Sequence, residues 1–202
     1  MFLISPPSTF VQKNMTTQAL SEKLTSEVKQ IIAQVEQHFL PLDIEKLNWK
    51  ESEERWSILE CIEHLNRYNR YYNPLIEQRV IDQQFGGREY KSKWLGRVFI
   101  NMMDPKNSKK QKTFKRLNPA GSKLDQKILS EFVLHQAKLI QILEHLPQVN
   151  ANITTVPVEF MKLLKLSIGD ALFFVITHER RHLQQAENVL QKQNFQHVDL
   201  IV

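Results

Sequence analysis

Four long segments with helical apolar spacing, separated by prolines and polar breaks, constrain this chain more than any other feature. Apolar residues recurring every three to four positions place one continuous apolar stripe on a helix, and four such stripes bury one another in a bundle. The first segment runs from about Thr17 to Leu40 and puts Leu20, Leu24, Val28, Ile31, Ile32, Val35 and Phe39 on one side, with Pro41 to stop it. The second opens at Ser57-Ile58-Leu59-Glu60, where Ser and Glu three apart can satisfy each other's free amides. Its apolar face is Ile58, Ile62, Leu65, Tyr68, Tyr72 and Ile76, with Pro74 placed to kink it and Gly86-Gly87 to end its reach.

The third segment begins near Ser122 to Asp125 and passes through Ile128, Leu129, Phe132, Ala137, Ile140 and Leu143 to Pro147. The fourth begins near Ser167 to Asp170 and carries Leu172, Val175, Ile176, Leu183 and Ala186 to about Leu190. Only 5 glycines and 8 prolines interrupt the 202 residues. The expected fold class is therefore all-α, a four-helix bundle forming a single domain over residues 1–202, with its core at about 17–193. The link at 85–121 is too long for a simple bundle turn. Tyr90, Trp94, Leu95, Val98, Phe99 and Ile100 within it predict a short helix packed over one end. No sheet is expected beyond a short extended piece around Ile153 to Val158.

Composition limits the partners. One cysteine, Cys61, can make neither an internal disulfide nor a cysteine-rich metal site, which suits a reducing, cytoplasmic setting. The start, Met1 to Pro7, lacks the basic residues of a signal peptide, and no apolar run approaches the roughly 20 residues that span a bilayer. The net charge of +5 permits anionic partners without requiring them. Lys106, Lys109, Lys110, Lys112, Lys115 and Arg116 fall close together with no acid among them. A nucleic-acid patch is one reading and a solvated inter-helix loop the other. Phe114 alone does not form a stacking platform, so the loop reading is preferred and no specific nucleic-acid partner is expected.

His178-Glu179-Arg180-Arg181-His182 carries the chemistry. Histidines four apart lie one above the other on a helix, so both rings can reach one ion. The run also satisfies H-E-x-x-H, the zinc-protease pattern. That pattern needs a further ligand downstream, and the sequence supplies none. Gln185 stands where H-E-x-x-H-x-x-G-x-x-H requires glycine, Asn188 where it requires histidine, and Glu187 is too close to serve as a distal acid. Three protein ligands with one open position make a catalytic site. The best third ligand is His64, two turns into the second helix, beside Cys61 and Tyr68 on the apolar side. His38, His135, His145 and His197 read as surface or packing residues. Tyr68, Tyr71 and Asn69 are placed to line a pocket, and Arg181 and Gln185 to bind a substrate carboxylate or a carbonyl. Glu60 has a capping role, and Glu63 lies about 100° around the helix from His64, so no catalytic base is assigned.

Trp56-Ser57 before the second helix with His64 about two turns on, together with His178-x-x-x-His182 followed by Gln184-Gln185, resembles the DinB-like family of metal-binding four-helix bundles. The resemblance covers about residues 17–193. It implies an up-down-down-up bundle, often dimeric, with one divalent ion on His64, His178 and His182. Zinc or nickel suits imidazole ligands first, with iron and copper behind them. Characterised relatives include transferases and isomerases using low-molecular-weight thiols, and the fold was once grouped with metal-dependent hydrolases. The resemblance thus implies a small-molecule enzyme of the thiol S-transferase or hydrolase type, working as a homodimer away from membranes. The alternative is a bundle that binds a metal or small ligand without turnover, or whose histidines only pack.

Overall fold

A computed structural model describes residues 14–199 except 83–85, 88, 108, 110 and 111, and side chains as far as residue 194. Met1 to Pro7, Lys110 and the side chain of His197 lie outside the described residues. In chain order the elements are β1 (Asn14–Thr16), α1 (Thr17–Gln34), α2 (Ile44–Asn48), α3 (Ile58–Ile81), β2 (Glu89–Lys91), α4 (Trp94–Met103), α5 (Lys127–His145), β3 (Thr154–Val158), β4 (Met161–Ser167) and α6 (Ile168–Asp199). The long helices α1, α3, α5 and α6 form the bundle. α1 and α3 each pack against both α5 and α6, so the order around the bundle is α1, α5, α3, α6.

Local chemistry sets the helix starts. The Thr16 hydroxyl accepts from the Ala19 amide at 3.0 Å and opens α1. α1 ends in a wider π-helical turn at Val35–Phe39 that keeps Val35 and Phe39 buried. The reciprocal box at α3 is complete: Glu60 N donates to Ser57 Oγ at 3.1 Å, and Ser57 N to Glu60 Oε2 at 3.0 Å. Two orphan amides are thereby satisfied, and the phase of the helix carrying His64 is fixed. All six apolar positions expected on α3 are buried. The helix runs through Pro74 and ends at Ile81, before the Gly86-Gly87 pair.

α5 departs from the expected register. It begins at Lys127, not near Ser122, whose hydroxyl accepts from the Arg67 guanidinium at 3.2 Å. Its buried face is Leu129, Phe132, Gln136, Leu139, Ile142 and Leu143, while Ala137 is exposed. α6 opens on Ser167, whose Oγ accepts from the Asp170 amide at 3.2 Å, and it continues past Leu190 to Asp199.

The long connection contains the expected short helix. α4 buries Phe99, Ile100 and Met103 and packs on α6, whereas Trp94 and Val98 face outward. Two small antiparallel two-stranded sheets add to the helical architecture: β1 with β2, distant in sequence, and the hairpin β3–β4. The extended piece near Ile153 is β3, and its partner β4 has no counterpart in the sequence reading. Asp170, fully buried at the start of α6, accepts from Tyr90 Oη (2.7 Å), Ser92 Oγ (2.6 Å), Ser167 Oγ (2.6 Å) and Lys93 N (3.2 Å). That carboxylate ties the connection to the bundle. No described helix is long and apolar enough to cross a membrane.

Candidate metal centre

α3 and α6 are neighbours, so the mid-helix histidines of each meet. His64, His178 and His182 place one ligand nitrogen each within 4.8 Å of the others. Their ring centroids are 4.5 to 5.1 Å apart, and His64 Nε2 faces His178 Nε2 at 3.3 Å. His64 and His178 are buried and His182 partly so. The remote nitrogens of two rings are engaged. His64 Nδ1 meets the Leu117 carbonyl at 2.8 Å, and His182 Nδ1 meets Gln185 Oε1 at 3.0 Å. Both partners are acceptors, so each Nδ1 carries the proton and each Nε2 keeps a lone pair for an ion.

Burial also holds these rings neutral. It pushes His64 down to about 4, against the weaker opposing effect of the Leu117 hydrogen bond. Burial, followed by the neighbouring histidines, holds His178 well below the usual histidine range, and burial followed by His64 does the same at His182. Neutral imidazole is the metal-binding form. Three neutral imidazole nitrogens brought together in this way could bind a metal ion. Aromatic rings enclose them: Tyr68 lies 4.4 Å from His178, and Trp56 lies 4.8 Å from His64 and 5.6 Å from His182, centroid to centroid.

The histidines form the floor of a pocket of about 620 Å³. Tyr68, Arg181 and Gln185 are among the residues that line it. Tyr71 is not; its hydroxyl donates to the Pro157 carbonyl at 3.3 Å. Arg181 lines the pocket, but its guanidinium already donates to the carbonyls of Met102 (3.4 Å), Asp104 (3.1 Å), Asn107 (2.9 Å) and Lys109 (2.9 Å). It clamps the connection over the site. Asn69 turns inward and donates to Glu179 Oε1 at 2.9 Å, as Gln136 does at 2.7 Å.

Residues outside the sequence-derived set complete the pocket. Trp56, Met102, Phe114 and Phe160 supply apolar walls, and the Leu117 carbonyl orients His64. Trp56 was legible as part of a motif, whereas a backbone carbonyl has no sequence signal. Glu179, the base in a protease reading, is buried between α3 and α5 and does not line the pocket. Glu60 pairs with Lys50 at 2.8 Å, and Glu63 with Arg67 at 2.9 Å and Arg70 at 3.0 Å. The other described histidines lie elsewhere: His38 contacts Glu187, His135 faces Glu131 at 3.3 Å, and His145 is exposed at the end of α5. Lys106, Lys109, Lys112, Lys115 and Arg116 are exposed; Lys112 reaches the pocket mouth and Arg116 pairs with Glu159 at 2.9 Å.

None of the curated proteins or solved structures compared gives a match. A family model described as the DinB superfamily matches residues 27–186. That span takes in most of the bundle and all three facing histidines, and on this match the chain belongs to the DinB superfamily.

Proposed function

We propose that this protein is a metal-dependent enzyme that acts on small molecules, with His64, His178 and His182 holding one divalent ion, zinc or nickel. The observation that carries this reading is the meeting of three neutral rings, from two helices, at the floor of an open pocket. A divalent ion bound by uncharged ligands keeps its full charge and supplies the Lewis acidity that ionises a thiol or a water near neutral pH. Leu117 and Gln185 hold two rings in the ligating tautomer. Trp56 and Tyr68 restrict solvent around the floor, and Met102, Phe114 and Phe160 offer a surface for an apolar substrate.

Thiol S-transfer is favoured over hydrolysis. The pocket-lining residues include one carboxylate, Glu54, which accepts from the Ser52 hydroxyl at 2.8 Å. A base placed to take a proton from water assists hydrolysis, whereas a low-molecular-weight thiol, intrinsically the stronger acid, would depend less on one. We further propose a single-domain homodimer in the cytoplasm, where reducing conditions suit both a thiol substrate and the buried free thiol of Cys61.

The test is elemental analysis of purified protein, followed by thiol consumption with an electrophile such as 1-chloro-2,4-dinitrobenzene. About one ion per chain, with activity lost to a chelator and restored by zinc or nickel, is expected. Stoichiometric metal without turnover would leave a binding protein. Failure to take up any divalent ion would overturn the reading.

A further inference from the structure

The pocket above the histidines has a charge pattern that thiol chemistry alone does not require. Arg181 lies on α6 between His178 and His182, half-buried, and donates to four neutral carbonyl oxygens. Among the described residues no carboxylate pairs with it. Its charge lies beside the floor, because Arg181 lines the pocket together with both of those histidines. Lys112 stands exposed at the mouth. Arg55 and Glu54 are adjacent there and largely offset each other.

Of the acids near this wall, Asp104 turns its carboxylate to the Lys106 amide at 2.9 Å, and two others are paired with cations outside the pocket lining. Glu159 pairs with Arg116, and Glu63 with Arg67 and Arg70. The pocket is thus positive before any ion enters, and three neutral imidazoles would leave an ion's charge uncancelled. Low-dielectric walls of Trp56, Met102, Phe114 and Phe160 concentrate such a field. A volume of about 620 Å³ suits a small molecule and not a polymer.

We infer that the substrate of this site is a small anion: a molecule with an apolar or aromatic body and a carboxylate or comparable acidic group separate from the atom that meets the metal. The inference rests on the metal-site reading above. Arg181, its donors occupied by carbonyls, acts through its field. Lys112, exposed at the mouth, makes the direct contact with the acidic group. The aromatic walls hold the body between the two ends.

The experiment uses two thiols differing in one charge, 4-(mercaptomethyl)benzoate and 4-(mercaptomethyl)benzamide. Each is titrated into the full-length protein loaded with cobalt(II), and the thiolate-to-metal charge-transfer band reports binding. The carboxylate should bind at least tenfold more tightly, a difference of about 1.4 kcal/mol, and the preference should shrink as salt rises. Lys112→Glu, an exposed charge reversal, should remove most of that preference while leaving affinity for the amide within about twofold. Arg181→Gln should weaken it as well, but it also releases the connection, so Lys112→Glu is the decisive variant. Equal affinity for both thiols in the parent protein, with cobalt bound and the band formed, overturns the anionic-substrate inference and leaves the metal-site reading standing. Preference for the carboxylate that persists unchanged in Lys112→Glu also overturns it. Absence of cobalt uptake, or a cobalt protein on which neither thiol raises the band, counts against the proposed function instead.

Discussion

His64 Nδ1 meets the backbone carbonyl of Leu117 at 2.8 Å, joining a ring on α3 to a connection 53 residues downstream. The contact fixes which nitrogen of His64 carries the proton, and so presents Nε2 to the other two rings. The carbonyl is itself positioned by Arg67, whose guanidinium donates to the Asn118 carbonyl at 2.8 Å and the Ser122 hydroxyl at 3.2 Å. Arg67→Ala should therefore loosen the segment around Leu117 while removing no ligand. Loss of an outer-shell partner of a metal-bound histidine costs roughly 10–100-fold in affinity. Acting one step further out, Arg67→Ala should weaken zinc binding by about three- to tenfold, measured by competition with a chromophoric chelator. Unchanged affinity would show that the Leu117 contact holds without Arg67.

Replacing the third ligand should have a larger effect. His64→Ala leaves two nitrogens one turn apart on α6, and the variant should purify with less than about a tenth of the parent's metal. Glu179→Gln, though next to His178 in sequence, should keep the parent's metal content, because that side chain faces Asn69 and Gln136 inside the bundle. A zinc protease would behave in the opposite sense, retaining metal and losing activity when its glutamate is neutralised. Elemental analysis of both variants decides, and normal stoichiometry in His64→Ala would remove it from the ligand set.

Much of this arrangement was legible in the sequence for identifiable reasons. The Ser57–Glu60 box fixes where α3 begins, and hence which way His64 points. The four-residue spacing of His178 and His182 puts both on one face whatever the tertiary packing. What escaped depends on long-range partners. Gln136 reads as polar and outward until Glu179 of α6 arrives opposite it, whereupon Gln136 is buried and Ala137 turns to solvent. Arg181 sits beside the ligands and reads as a substrate contact, yet its length lets it clamp carbonyls of the connection. The apolar run of β4 does not alternate cleanly, and Leu163 within it is 96% exposed, so the hairpin left little trace.

The latch on Asp170 predicts a sharp contrast between two glycines. A Cβ at Gly96 would fall 2.2 Å from Asp170 Cγ and 2.5 Å from both carboxylate oxygens, displacing a group on which four donors converge. Overpacking a tight site costs typically 1–3 kcal/mol, and disruption of the buried hydrogen bonds adds to it. Gly96→Ala should lower stability by about 3 kcal/mol. At Gly121 nothing lies within 4 Å, and the only obstacle is a φ of +77°. Gly121→Ala should cost about 1 kcal/mol, the scale of placing a side chain in the left-handed region. Urea unfolding of both variants makes the comparison; equal losses would mean that the connection yields without disturbing Asp170.

The buried carboxyl of Glu179 should give the metal-free protein a distinctive pH dependence. Burial pushes this group from the ordinary 4.5 up to about 7, against the opposing hydrogen bonds from Gln136 and Asn69. Between those values the folded state holds a proton that the unfolded chain has released, so stability contributed by Glu179 is full below about 4.5 and is lost as pH rises towards 7. At 1.36 kcal/mol per unit the loss is on the order of 3 kcal/mol. The buried histidines act in the other direction: their depressed values make stability fall as pH drops below 6.5. Glu179→Gln separates the two effects. A glutamine keeps the oxygen that accepts from Asn69 and Gln136, and it places an amide where Glu179 Oε2 now has no partner. The histidine contribution is common to parent and variant and cancels in their difference. In chelator, Glu179→Gln should exceed the parent in stability by about 2–3 kcal/mol at pH 8, with the advantage shrinking towards zero at pH 5. Urea unfolding of both proteins at pH 5, 6, 7 and 8 measures it. A difference that stays constant across that range would mean that the Glu179 carboxyl keeps the same proton affinity whether the chain is folded or unfolded.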